Sequence, residues 1–179
     1  MNRSNFLKIL SHWSVNAVFL TLTVGSMAIA MPKAIAQSTA PEAPTELRRL
    51  LDTKECAGCN LSGVDLQNAN LQGANLEGAN LQNADLEEAN LQGANLAGAN
   101  LQGADLEKGN LAGANLQTAN LINADLEEAN LQNANLQGAS LQRADLEKAN
   151  LTGANTNEAN LQGANLENAI GIDPTAQTR

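Results

Sequence analysis

Residues 69–78 read ANLQG ANLEG, and this five-residue unit repeats without a break over residues 59–168. Leu occupies the centre of 21 of the 22 units, with Thr156 in the remaining one. Asn or Asp precedes the central residue in every unit but one, which has Ser140. Ala stands two positions before the centre in 19 of the 22 units. The exceptions are Cys59, Val64 and Gly109.

A period of five residues argues against an amphipathic helix. At ~100° per residue, leucines five apart would scatter around the helix axis, and Asn and Gly are poor interior helix residues. Ala and Leu two apart instead fit a short extended segment with both side chains on one face. The fifth position is Gly or Asn in 15 of 22 units, and these residues suit corners with positive φ. Each unit is therefore predicted to form one short extended side and one corner of a coil. Its Leu becomes buried when the coils stack.

A second period, of twenty residues, is superimposed on the first. Asp takes the second position of a unit at intervals of twenty, and Glu follows two residues later with the same spacing. Twenty residues are four units, so these acids are predicted to form columns on one side of a four-sided coil, and the 22 units make about 5.5 coils. We name this side the acidic wall. The residues predicted to line it as a candidate interaction surface are Asp65, Asp85, Glu87, Asp105, Glu107, Asp125, Glu127, Asp145, Glu147 and Glu167.

The next column of this wall mixes both signs of charge. It contains Glu88, Lys108, Glu128 and Lys148 in consecutive coils, so vertical Glu–Lys contacts are expected. Twelve of the 14 acids in the repeat fall on the acidic wall. Two interpretations are open: a solvated face that keeps the protein soluble, or a docking surface for a basic protein patch or divalent cations.

Residues 1–36 have the organisation of a secretory signal peptide. A short basic start is followed by an apolar stretch over residues 15–30 and by the sequence AIA at 34–36. This order predicts cleavage after Ala36, with an uncleaved anchor as the alternative. Cleavage would leave a chain without His, Met or aromatic residues, with 7 basic and 19 acidic residues and therefore a net charge of −12.

That composition limits the function classes. A chain without His, Tyr or Trp has few groups for acid–base or nucleophilic catalysis, so no enzyme activity, cofactor or metal site is expected. The acidity argues against binding of nucleic-acid phosphates, which needs Lys and Arg. No membrane association is expected of the mature form.

The segments flanking the repeat are expected to cover its ends. Residues 37–44 read as a flexible linker, and residues 45–58 as an N-terminal capping segment. A short helix is predicted over residues 45–54, with Leu47, Leu50 and Leu51 on one face. Residues 169–179 are expected to form a C-terminal cap and tail, in which Ile170 and Ile172 close the top or meet another molecule.

Cys56 and Cys59 form a C-x-x-C pair at the start of the repeat. An intramolecular disulfide is the default in an exported protein. Free thiols and a redox role remain as alternatives. Haem attachment would need His at the position of Asn60, and zinc would need two further ligands.

Repeats such as residues 69–78 resemble those of the pentapeptide repeat family. This resemblance implies an all-β, right-handed quadrilateral β-solenoid with four repeats per coil. It also implies that Leu and Ala point inward while the other three positions face solvent. The signal peptide and residues 50–59 resemble those of cyanobacterial members that are exported to the thylakoid lumen or periplasm.

The resemblance implies a non-catalytic scaffold for an unidentified protein partner, and it allows an end-to-end dimer. Some members of the family act as DNA mimics that bind a topoisomerase. The acidic wall fits such a role, but an export signal argues against it because the target is cytoplasmic. Ice binding through flat Thr ladders is disfavoured, because the outward ladders here are Asn and Gln.

Overall fold

The computed structural model describes residues 45–172. The predicted signal peptide (1–36) and linker (37–44) lie outside the described residues, as do residues 173–179 of the predicted C-terminal tail. Helix α1 spans Thr45–Thr53. Strand pairing in the described chain consists of isolated parallel bridges between residues twenty apart, from Glu55↔Asn75 to Asn150↔Ile170. This register matches the twenty-residue superperiod of the sequence.

Each unit is bonded both to itself and to the coils around it. The Leu86 N–H donates to the carbonyl of Asp105 in the next coil at 2.7 Å, and the Ala89 N–H donates back to the Leu86 carbonyl at 2.9 Å. The first bond joins coils and the second closes the corner. The same pattern recurs along the chain, so the backbone polar groups of a coil find partners without long strands.

The corners have the backbone conformation that the sequence predicts. All 22 fifth positions have positive φ, between 54° and 74°, which confirms the prediction from the Gly and Asn content. Seven of these corners carry residues other than Gly or Asn, for which this conformation costs ~1–2 kcal/mol. They are Glu88, Lys108, Thr118, Glu128, Arg143, Lys148 and Glu158.

Leu and Ala form the core, as the sequence predicts. Within residues 45–172 the buried hydrophobic side chains are Leu, Ala and the two Cys, and no polar or charged residue is buried. The second position of most units is half-buried rather than fully exposed, which corrects the implication that it faces solvent. Its side chain is covered because it packs between the same positions of neighbouring coils.

Thr156 is the one central position of the repeat that is not Leu. The leucines below it in its column, such as Leu116 and Leu136, are fully buried, whereas Thr156 is only partly buried. The polar residue therefore stands at an inward position that is less completely covered than those of the leucines below it.

The repeat extends beyond its predicted limits of 59–168. The ladder begins at Glu55 and ends at Ile170, so the last four residues of the predicted capping segment belong to the first coil. Ile170 continues the ladder and remains 55% exposed. It therefore extends the solenoid instead of closing it.

Helix α1 packs against the start of the coil mainly through Leu50. Leu50 is fully buried, and Leu47 packs against the core. Leu51 is 46% exposed, which corrects its predicted place on the buried face. The helix ends one residue before the predicted boundary, because Lys54 adopts a φ of 64°, the left-handed conformation that ends many helices.

Within residues 45–172, no helix has the length and apolar character needed to cross a lipid bilayer.

Replacement of Thr118 tests the cost of the corners. Thr is β-branched and fits positive φ poorly, so Thr118→Asn should raise the free energy of unfolding by about 1 kcal/mol. The matched reverse change is Gly78→Thr, at the same corner of an earlier coil, where a side chain meets nothing within 4 Å. It should destabilise by a similar amount in urea unfolding. Equal stability of both variants and the wild type would contradict corner strain.

Candidate functional site

The second position of each unit stabilises its own corner. The Oδ1 atom of Asp85 accepts the N–H of Glu87 at 3.1 Å, and that of Asp125 accepts the N–H of Glu127 at 2.9 Å. Asn residues make the same contact in other units, as between Asn100 and Gln102 at 3.3 Å. Both Asn and Asp can supply this acceptor, which explains why the position alternates between these two residues.

Asn makes a second bond that Asp cannot make as a carboxylate. On the other three sides of the coil, the Nδ2 of one Asn donates to the Oδ1 of the Asn one coil below. An example is Asn120 to Asn100 at 3.0 Å. The distances in these ladders run from 3.0 to 3.5 Å. Each of these sides therefore carries a polar ladder in which many rungs are bonded to the next, with a break at Ser140 and with Asn95 bonded to Glu77 instead.

The acidic wall replaces this ladder with a column of carboxyl groups. Consecutive bridges join Asp65, Asp85, Asp105, Asp125 and Asp145, with coils ~4.8 Å apart. In the described structure no hydrogen bond joins the side chain of one of these Asp residues to the next. Above the column, the Nδ2 of Asn165 donates to the Oδ1 of Asp145 at 3.0 Å. The structure thus brings the five sequence-predicted Asp residues into one stacked column, and the predicted Glu residues follow two positions later in each coil.

The environment of Asp125 within the column raises the pKa of its carboxyl group. Partial burial, together with the charges of Asp105, Asp145 and Glu107, raises the pKa of the Asp125 carboxyl above its ordinary value of 3.8. The backbone N–H of Glu127 opposes this rise, because it hydrogen-bonds to the charged form. Desolvation and like charges therefore outweigh the hydrogen bond.

The Glu column beside the Asp column is partly neutralised by Lys148. Its Nζ lies 2.8 Å from Glu127 in the coil below, 3.0 Å from Glu147 in its own coil and 3.6 Å from Glu128. The contact with Glu128 is the vertical Glu–Lys pair that the sequence predicts, and Lys148 also reaches the neighbouring Glu column. The bond with Lys148 lowers the pKa of Glu127. Lys108 pairs with Glu107 in the same coil, and this contact raises the pKa of Lys108.

These acids do not form a metal-binding cluster. Within residues 45–172, no group of three or more His, Cys, Asp or Glu side chains could hold a metal ion. The carboxyl groups are spread along a column instead of converging on one point. This geometry presents a line of negative charge on one side of the solenoid.

Cys56 and Cys59 occupy two inward positions at the start of the repeat. Cys56 takes the place of the central Leu in the unit that contains Glu55, and Cys59 takes the Ala place in the next. A disulfide joins them, with Cα atoms 5.2 Å apart. The Cys59 N–H donates to the Cys56 carbonyl at 3.2 Å, the same corner bond that other units make between Ala and Leu. The repeat geometry itself therefore places a C-x-x-C pair within bonding distance.

Arg49 is a neighbour of the disulfide that sequence reasoning missed. Its Nη2 atom lies 2.6 Å from the Cys59 Sγ and 3.7 Å from the Cys56 Sγ. The contact depends on the angle at which α1 docks on the first coil, and the sequence pattern does not specify that angle. The nearby side chain of Glu46 accepts the N–H of Asn60 at 2.8 Å. Helix α1 is thus anchored to the first coil by polar as well as apolar contacts.

A groove lies on a side of the coil next to the acidic wall. Ile122, Gln142, Arg143, Gln162 and Gly163 line it. The Oε1 atom of Gln142 is buried there and has no hydrogen-bond partner. The Nε of Arg143 donates to Asn123 at 3.0 Å. Ile122 interrupts a column that is otherwise mostly Gln, and Arg143 interrupts a column of Gly and Asn. Nothing in the sequence periodicity predicts a groove.

The chain is similar to known pentapeptide repeat proteins in its sequence repeats and in its fold. A family model for pentapeptide repeats matches residues 59–98, 94–133 and 129–168 with eight copies. No curated protein sequence matches the chain significantly. QnrB1, a plasmid-mediated fluoroquinolone resistance protein, is 22% identical, covers 65% of this chain and 63% of its own, and has a TM-score of 0.53. That structure supports the shared fold.

Two further solved structures are similar in sequence. HetL, a pentapeptide repeat protein involved in heterocyst differentiation regulation in the cyanobacterium Nostoc, is 38% identical over 65% of this chain, with a TM-score of 0.49. The alignment spans only 61% of the HetL chain. A pentapeptide repeat protein from the Arabidopsis thaliana thylakoid lumen is 28% identical over 67% of this chain and 72% of its own, with a TM-score of 0.31.

The matched residues 59–168 make up more than half of the chain. They coincide with the region in which every unit adds one bonded side and one corner to a stack of twenty-residue coils. Sequence, fold and comparison therefore agree, and the chain belongs to the pentapeptide repeat family of β-solenoid proteins.

Proposed function

We propose that this protein is an exported, non-catalytic scaffold that docks a basic protein surface along its acidic wall. In this proposal the solenoid has about 5.5 coils, and α1 caps its first coil. The observation that carries the proposal is the Asp column, which occupies a position where the other three sides carry bonded Asn ladders.

The Asp column lacks the stabilisation that the alternative residue provides. Asn at these positions would donate a hydrogen bond to the coil below, as Asn120 does to Asn100. Carboxylates directly opposite one another repel instead. Asn would accept the same corner hydrogen bond as Asp. The presence of Asp at this position in five consecutive coils is therefore better explained by a surface role than by folding.

The distribution of charge supports a line-shaped interface. The basic residues of the repeat are Lys108, Arg143 and Lys148, and two of them stand on the acidic wall, where they pair with Glu side chains. The Asp column remains without a cationic partner among the described residues. A partner with Lys or Arg side chains spaced along an extended face would complement it.

Export is proposed from residues 1–36, to the thylakoid lumen or the periplasm of a cyanobacterium. A non-catalytic role is proposed from the composition of the exported part, which lacks the side chains most often used in catalysis. A secreted context also suits a disulfide between Cys56 and Cys59.

A DNA-mimic role at a topoisomerase is the second candidate, and the stacked acidic column is the observation that favours it. Such a protein must remain in the cytoplasm with its target. The location of the chain therefore separates the two functions.

Neutralising the Asp column tests the docking surface. Asp85, Asp105, Asp125 and Asp145 are changed together to Asn, and binding of basic proteins from lumenal and periplasmic fractions is compared with that of the wild type. We expect these partners to be lost while the circular dichroism of the coil is retained.

The matched control for this test keeps the net charge. It combines the four Asp→Asn changes with Glu at four outward positions on the other sides, Gln72, Gln117, Gln132 and Gln162. This variant should also fail to bind, because its charge is no longer on the wall. Undiminished binding by the neutralised variant would refute docking, and binding by the control alone would indicate a net-charge effect.

A single substitution tests the energetic cost of the column. Asp125→Asn should raise the free energy of unfolding by about 1 kcal/mol at neutral pH, by removing like-charge contacts and adding a donor. The raised pKa of Asp125 means that the folded state binds its proton more tightly. Protonation of Asp125 should therefore raise the free energy of unfolding of the wild type as pH falls from neutral through this pKa. The stability difference between Asp125→Asn and the wild type should shrink over the same pH range. A constant difference between pH 7 and pH 4 would contradict this account.

A reporter tests the location. Residues 1–40 fused to a periplasmic reporter enzyme should direct its export and be cleaved after Ala36, as found by N-terminal sequencing. Retention of the reporter in the cytoplasm would refute export and favour the topoisomerase-binding candidate.

A further inference from the structure

The Cys56–Cys59 disulfide has a cation placed directly against it. Arg49 approaches both sulfur atoms and is closer to that of Cys59. Within residues 45–172, the ion pairs involve Lys108 and Lys148, so Arg49 makes none. Its neighbour Glu46 is engaged with the backbone of Asn60. The guanidinium of Arg49 therefore lies against sulfur, and no carboxylate of the described part of the chain forms an ion pair with it.

A guanidinium interacts differently with the two redox states of a cysteine pair. A disulfide is neutral and is only a weak hydrogen-bond acceptor. A thiolate carries a full charge and forms a charge-assisted hydrogen bond with Arg. Arg beside a cysteine lowers the thiol pKa and stabilises the thiolate. Arg49 therefore favours the reduced pair over the oxidised pair.

The position of the pair also limits access to it. Cys56 and Cys59 are 0% and 1% exposed, whereas Ala57 and Gly58 between them are exposed. Helix α1 contributes both Arg49 and the buried Leu50 at this end of the coil. A reductant reaches sulfur only when part of this cover moves aside.

We propose that Cys56–Cys59 is a reversible dithiol–disulfide site, that its partner is a dithiol protein reductant of the C-x-x-C class, and that Arg49 is the residue that stabilises its reduced form. This role differs from that of an oxidoreductase. The solenoid is the substrate of the exchange, and its first coil is the part that changes.

The exchange balances in two steps. A thiolate of the reductant attacks the Cys56 Sγ, the Cys56–Cys59 bond breaks, and the Cys59 Sγ leaves with the electron pair as a thiolate beside Arg49. The second thiolate of the reductant then attacks its own sulfur in the mixed disulfide and releases Cys56, which takes up a proton. The solenoid gains two electrons, and the reductant is oxidised to a disulfide.

The test measures the equilibrium between full-length protein and a dithiothreitol redox buffer. The dithiol fraction is counted by alkylation and mass spectrometry. Arg49→Met keeps the aliphatic stem and removes the charge. It should lower the equilibrium constant for reduction roughly tenfold at pH 8, which corresponds to a potential about 30 mV lower. Arg49→Lys should restore most of the difference, and Arg48→Met, at the exposed neighbouring position, should match the wild type.

A pH series separates stabilisation of a thiolate from a merely structural role. The difference between wild type and Arg49→Met should shrink as pH falls below the pKa of the Cys59 thiol, because a protonated thiol gains little from a cation. A difference that persists at low pH would show that Arg49 does not act on a thiolate and would overturn the proposal. An equally or more easily reduced Arg49→Met protein would also overturn it, as would reduction that occurs only when the coil unfolds.

Discussion

The whole structure depends on one constraint: a five-residue unit cannot bury its own leucine. One extended side and one corner leave the Leu and Ala side chains exposed until coils lie above and below them. Stacking at the strand spacing supplies that cover, and it simultaneously pairs the backbone of each coil with the next. Everything outside the core is then fixed in columns, because a residue is followed twenty positions later by its neighbour in space.

This column geometry turns small choices in the sequence into properties of a surface. Asn and Asp are equivalent at a single corner, since both accept the same backbone N–H. When they repeat every twenty residues, Asn and Asp have different effects on the surface. Asn builds a bonded ladder, whereas Asp builds a row of like charges in which Asp125 resists ionisation. An acidic wall in this fold therefore opposes stability, which is the physical reason to connect it with function.

The sequence alone predicts most of this architecture because its period is so regular. The coil length, the inward Leu and Ala, and the positive φ of the corners all follow from position within the unit. Prediction fails where the period ends or where side chains are long. The exposure of Leu51 depends on how α1 docks, and Lys148 reaches two columns because its side chain is flexible. Arg49 meets the disulfide through a docking angle that no repeat encodes.

The central claim is that the stacked coils partly bury Asp125 and hold the carboxyl groups of its neighbours close enough to oppose its ionisation. The most direct test is an NMR titration of the Asp125 carboxyl carbon in the folded protein. The account predicts a pKa above 3.8 that falls when Asp105 and Asp145 are both replaced by Asn. A pKa at or below 3.8, or one that is unchanged by those replacements, would contradict it.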